Sequence, residues 1–107
     1  MSWSVLFVSD AAKAELDEPA ADMRAKFERI VTLIQAYGLD KVREPYVKHL
    51  EDKLWEMRLI GRSGIARSIY VTAAGQRLFV LRTFVKQTRK TPARELEIAR
   101  QRAKEVR

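Results

Sequence analysis

Leu54-Trp55-Glu56-Met57-Arg58-Leu59-Ile60-Gly61-Arg62-Ser63-Gly64-Ile65-Ala66-Arg67-Ser68-Ile69-Tyr70-Val71-Thr72 is the stretch whose reading decides the fold. Its hydrophobic period is two, the period of a pleated strand. Trp55, Met57 and Leu59 fall on one face, and Leu54, Glu56 and Arg58 on the other. Gly61 to Gly64 reads as a turn, with the glycines supplying backbone freedom. Residues 65–72 are β-rich, Ala73-Ala74-Gly75-Gln76 reads as a second turn, and residues 77–86 as a further strand. Two short turns joining three consecutive strands predict an antiparallel meander.

Working outward, residues 39–52 are polar and mixed and are broken by Pro45, which predicts a loop with a short helical turn. Before them, Met23, Phe27, Ile30, Ile34 and Tyr37 recur at spacings of three and four, the core stripe of an amphipathic helix. Pro19 suits its first turn, and Gly38 stands where a helix ends. Ser9 or Asp10 can cap a short helix through Leu16, and Trp3, Val5 and Phe7 mark a first strand. Beyond the meander, Thr91 and Pro92 suit the cap and first position of a last helix with the stripe Leu96, Ala99, Ala103 and Val106. The order is β–α–α–β–β–β–α. The expected class is α+β: a single domain over residues 1–107, with a small antiparallel sheet, the N-terminal helices on one face and a C-terminal helix. The opposite face, or its edge, is expected to carry the basic residues.

The charge is unevenly placed. Residues 1–56 hold 11 acids and 8 bases, a net of −3, whereas residues 57–107 hold 13 bases and 3 acids, a net of +10. No acid lies between Glu56 and Glu95, a stretch that carries Arg58, Arg62, Arg67, Arg77, Arg82, Lys86, Arg89, Lys90 and Arg94. A field this one-sided repels itself unless a polyanion neutralises it; the bland alternative is a basic face that serves solubility. There is no cysteine, so neither disulfides, a zinc cluster nor a thiol nucleophile is expected, and the single histidine, His49, excludes a multi-histidine metal site. No cofactor is expected. No apolar run approaches the roughly 18–20 residues of a membrane span, and the cytoplasm is the expected location.

The usual catalytic constellations are missing, since there is no glycine-rich phosphate loop and no paired carboxylates in the basic half. What remains is a set of cations on strands. Arg67 lies between Ile65 and Ile69 at spacing two, and Arg82 between Val80 and Phe84. A cation among core-facing residues is costly unless it is paired or reaches a pocket. Each therefore either snorkels or pairs with Glu56, or lines a concave anion site together with Arg58 and Lys86. Such a cluster can act on RNA by aligning the 2′-hydroxyl, stabilising the phosphorane charge and moving protons. Lys86, among many cations, is expected to have a lowered pKa and to serve as the proton-transfer group.

Three runs carry a family resemblance: Val47-Lys48-His49-Leu50-Glu51-Asp52-Lys53-Leu54-Trp55-Glu56-Met57-Arg58, then Gly64-Ile65-Ala66-Arg67-Ser68-Ile69-Tyr70, then Phe84-Val85-Lys86-Gln87-Thr88-Arg89-Lys90-Thr91-Pro92 with Glu95, Ile98 and Ala99. In that order the chain resembles the RelE/HigB-like toxins of type II toxin–antitoxin systems, in their phage-derived HigB-type branch. The resemblance implies a microbial-RNase-like α+β fold and a metal-independent, ribosome-associated endonuclease that cuts mRNA and stops translation. It implies a cognate helix-turn-helix antitoxin, HigA-like, as partner, alongside mRNA and the ribosome, with no membrane. It places catalytic roles on Arg67, Lys86 and Arg58, with Arg82 as a fourth candidate, and RNA contacts on Arg62, Arg89, Lys90, Arg94 and Lys48. The chain departs from such relatives at Arg82, where a histidine is common, and residues 89–107 contain neither histidine nor tyrosine. A ParE-type toxin that binds DNA gyrase without catalysis is the alternative, and a non-catalytic nucleic-acid-binding module is a third reading.

Overall fold

A computed structural model describes residues 2–86 and 89–106. The elements are β1 (Ser4–Phe7), α1 (Asp10–Glu15), α2 (Ala21–Tyr37), a 3-10 turn (Leu39–Lys41), β2 (Val47–Glu51), β3 (Leu54–Gly61), β4 (Gly64–Ala73), β5 (Arg77–Lys86) and α3 (Ala93–Ala103). The sheet order is β1-β5-β4-β3-β2. Strands β2 to β5 form an antiparallel meander, and β1 joins the far edge parallel to β5.

The three-strand meander is therefore four strands long, because β2 occupies part of the segment read as a loop. Its residues explain the misreading. An edge strand needs neither an apolar face nor a β-branched run, and charge on it discourages pairing with another chain. Lys48 and His49 are both exposed. Helix α1 starts as expected: the Ser9 hydroxyl accepts from the Ala12 N–H at 3.2 Å. Gly38, at φ 92°, ends α2 in a backbone region where a Cβ is strained. Helix α3 begins one residue later than expected, with Pro92 as its cap, and Thr91 is used elsewhere.

Both faces of the sheet are covered. Met23, Phe27, Ile30 and Ile34 of α2 pack on Met57, Leu59, Ala66, Tyr70, Leu78 and Val80. On the other side, Ala99, Leu96, Ala103 and Val106 pack on Leu54, Ile69, Val71, Leu81 and Phe84. The basic residues thus do not own the second face; α3 covers much of it and leaves them one end. Two stripe residues also leave the core. Tyr37 is 69% exposed and Trp55 is 39% exposed, since both lie where the covering helix has ended or the sheet reaches its edge. A bulge in β5 pairs Ile69 with Arg82 but Tyr70 with Val80, leaving Leu81 as the extra residue. Among the described residues no helix is long and apolar enough to cross a membrane.

Candidate functional site

The register sets the cations out across the α3 side of the sheet. Lys48 of β2 stands opposite Glu56 of β3, Arg58 of β3 opposite Arg67 of β4, and Ile65 of β4 opposite Lys86 of β5. Glu56 and Arg58 share a face at spacing two, as do Ile65 and Arg67. Lys48, Glu56, Arg58, Arg67 and Lys86 thus form a diagonal across four strands. Like charges directly opposite on a sheet repel, so the Arg58–Arg67 pair needs a carboxylate nearby.

Glu56 supplies it. Arg67 and Glu56 are 3% and 0% exposed and form a buried ion pair through the Arg67 Nη1 group. The same nitrogen donates to the Thr91 hydroxyl at 3.3 Å, and Arg67 Nη2 donates to the Arg89 carbonyl at 3.4 Å. Thr91 in turn donates to Glu56 Oε1 at 2.9 Å. Residues 89–91 are thereby stapled onto the sheet, and the hydroxyl expected to cap α3 completes a buried network instead. Arg67 Nε is buried without a hydrogen-bond partner, a polar group left unmatched inside an otherwise satisfied cluster.

This network divides the predicted cations. Arg67 is the internal half of a neutral pair, not an open anion ligand. Around it, Arg58 and Lys86 are half-buried, and Lys48, Arg89 and Lys90 are exposed. Burial lowers the Lys86 pKa, and the Arg67, Arg58 and Lys48 charges push it the same way, with Glu56 opposing. Lys86 thus lies within electrostatic reach of all four. Arg62, exposed in the β3–β4 hairpin, donates its backbone N–H to Asp22 at 2.6 Å, and Arg94 is exposed in the first turn of α3.

Arg82 is placed differently. Its Nη1 lies 2.7 Å from Glu15 and its Nε 2.7 Å from Glu95. Arg102 joins the same carboxylate through Nη1 at 2.8 Å and Nη2 at 2.9 Å, and also donates to the Leu81 carbonyl at 2.8 Å. The clasp ties α1, β5 and α3 together and is neutral overall. Burial alone raises the Glu15 pKa, but the Arg102 bonds and the Arg82 charge override it, so the net direction is down. Arg82 pairs neither with Glu56 nor with an open anion site; its partners are two acids distant in sequence, one at the end of α1 and one in the first turn of α3. Nothing local to Arg82 signals either of them.

Residues 14–104 match the family described as phage derived protein Gp49-like (DUF891). The chain belongs to this family. It is a RelE/toxin-like family, and the matched span contains the diagonal, its buried pair and the Arg82 clasp. No curated protein matches the chain. In this Gp49-like chain the clasp holds α1 and α3 to β5, while the diagonal leaves positive charge at the end of the sheet where β5 runs into α3.

Proposed function

We propose that this chain is the toxin of a type II toxin–antitoxin pair and acts as an mRNA endonuclease at the ribosome. The observation that carries the reading is the diagonal: Lys48, Arg58 and Lys86 grouped around a buried, already neutral Arg67–Glu56 pair. Three cations with no carboxylate bonded to them among the described residues suit a phosphodiester, and arginine's fork suits its oxygens. In the proposed reaction the substrate 2′-oxygen attacks the adjacent phosphorus as the bond to the 5′-oxygen breaks, leaving a cyclic phosphate and a 5′-hydroxyl. Arg58 and Lys48 stabilise the charge gathered on phosphorus. Lys86, with its lowered pKa, takes the 2′-hydroxyl proton when neutral, and the departing 5′-oxygen takes its proton from water. Arg67 serves as the anchor that holds residues 89–91, and with them Arg89 and Lys90, against the sheet.

Primer-extension mapping of mRNA from cells expressing the chain tests the reading. Discrete cuts within translated frames, lost in the Lys86→Ala variant, are expected; intact mRNA alongside stalled replication would sink it. That second outcome is the signature of a gyrase-binding toxin. One observation favours that alternative: the burial of Arg67 and the clasping of Arg82 remove two arginines from the catalytic candidates. The proposed HigA-like antitoxin is expected to cover the basic end. The apolar stripe of α3 is already packed on the sheet, so that stripe offers no free face for docking.

A further inference from the structure

At its free edge the sheet turns an aromatic pair outward. Trp55 is 39% exposed, while Met57 and Leu59, on the same face of the same strand, are both at 0%. His49 stands opposite it in register, the two rings edge-on with centroids 5.0 Å apart. A 2.8 Å contact between His49 Nε2 and the Asp52 carbonyl holds the imidazole in place. Both rings line a cavity of about 560 Å³ that also takes in Tyr70, Asp40, Glu44 and Lys48.

Unlike the diagonal, this cavity balances its charges, with Asp40 and Glu44 against Arg43 and Lys48. The two carboxylates accept from N–H donors, which a phosphate does not offer. An indole face left in water favours a planar, polarisable occupant. Lys48 belongs both to the cavity and to the cation diagonal, where its charge is felt by Lys86. The rings lie on the α2 side of the sheet and the diagonal on the α3 side, so a strand whose phosphates follow Lys86, Arg58 and Lys48 reaches the rings by turning round edge strand β2 at Lys48.

We propose that this cavity is a nucleobase subsite: one base of a bound single-stranded RNA leaves the phosphate track at Lys48 and stacks on Trp55. The carboxylate of Asp40 or Glu44 accepts from the edge of the base. Guanine presents a ring N–H and an amino group side by side and matches a carboxylate's two oxygens; uracil presents one N–H and does not. The inference rests on RNA being the ligand of the diagonal, and it is independent of whether that RNA is cut.

The test uses the full chain carrying Trp3→Phe, so that Trp55 is the sole tryptophan, and RNA whose 2′-hydroxyls are methylated, so that it stays intact with every cation of the diagonal in place. The probes are two single-stranded hexanucleotides, UUUUUU and UUUGUU. Both are expected to quench Trp55, and the guanine-containing one is expected to bind about tenfold tighter, the scale of a single stacked base. Trp55→Ala is expected to abolish the preference, and Trp55→Phe to keep most of it, read by anisotropy of labelled RNA. Saturating binding with unchanged Trp55 fluorescence, or an unchanged preference in Trp55→Ala, overturns the subsite while leaving the RNA reading intact. Absence of binding by either hexamer at low salt overturns the RNA reading and the subsite with it.

Discussion

Two arginines on neighbouring strands of one sheet meet opposite surroundings. Arg82 is held by Glu15 and Glu95, which arrive on α1 and at the start of α3, and Arg102 completes a neutral clasp. Arg67 is held by Glu56 of the adjacent strand, but Lys48 stands opposite Glu56 and Arg58 opposite Arg67, and among the described residues no second acid is bonded to the arginine. The residue types are the same, and so is their apolar flanking in sequence. The difference lies in which helices reach them. At the clasp the covering helices carry acids, and the charge becomes structural. At the diagonal α3 has not yet begun, and the positive charges stand beside one another. Whether a strand arginine is neutralised by acids on the helices or is left among other cations is a tertiary property.

The comparison breaks first, and most visibly, at Lys86. If the diagonal is the chemical end, Lys86→Ala lowers the RNA cleavage rate by about 100- to 10,000-fold, the usual worth of a proton-transfer group, with an unchanged denaturation midpoint. Because burial and three neighbouring cations lower its pKa, activity of the parent should rise with pH as Lys86 loses its proton. Arg58→Ala and Lys48→Ala should each shift that rise upward by removing a repelling charge, which a pH–rate profile reads directly.

Next in size is Glu56→Ala, which strands the Arg67 charge in the interior. Removing one partner of a buried pair costs about 3–5 kcal/mol, measurable by urea denaturation. Replacing both partners by leucine should cost less than Glu56→Ala alone; an equal or larger loss would mean that the bonds the pair makes to residues 89–91 outweigh the cost of burying it.

Arg82→Ala should cost about 1.5–3 kcal/mol, since the bonds lost are to charged groups, and should leave RNA affinity of the folded protein at the parent's level. The clasp also carries an acid dependence. The Glu15 pKa is lower folded than unfolded, so the folded state binds fewer protons through that window. Its stabilisation is complete above the ordinary carboxylate range and fades as pH falls through the depressed folded value. Thermal melts from neutral pH downward should show that loss, and Glu15→Gln should flatten it.

The smallest effect falls on the rim. Arg89→Ala should weaken RNA binding similarly across sequences and reduce the slope of log affinity against log salt by about one. A change in sequence preference instead would place Arg89 at a base and not at a phosphate.

Much of this was legible beforehand. Periodicity of two placed β3, β4 and β5, because strands buried on a face must alternate. Periodicity of three and four placed α2, because its stripe must meet that sheet. β2 was not legible: Lys48 and His49 lie on an edge, where burial imposes no pattern. Thr91 was read as a cap from its position before Pro92, and only the approach of Glu56 shows why its hydroxyl points to the sheet. The Trp55–His49 contact is invisible without the register that sets the two opposite each other.

The order of the elements other than β2, the polarity of the α2 stripe and the concentration of positive charge between Glu56 and Glu95 are properties of the chain itself, since each follows from local spacing and counting. Which cations stay open was decided by tertiary structure alone. Electrostatic pairing acts over a few ångströms in space, and Glu15, Glu95 and Thr91 come within that range of their arginines only once the helices and the final loop have closed on the sheet.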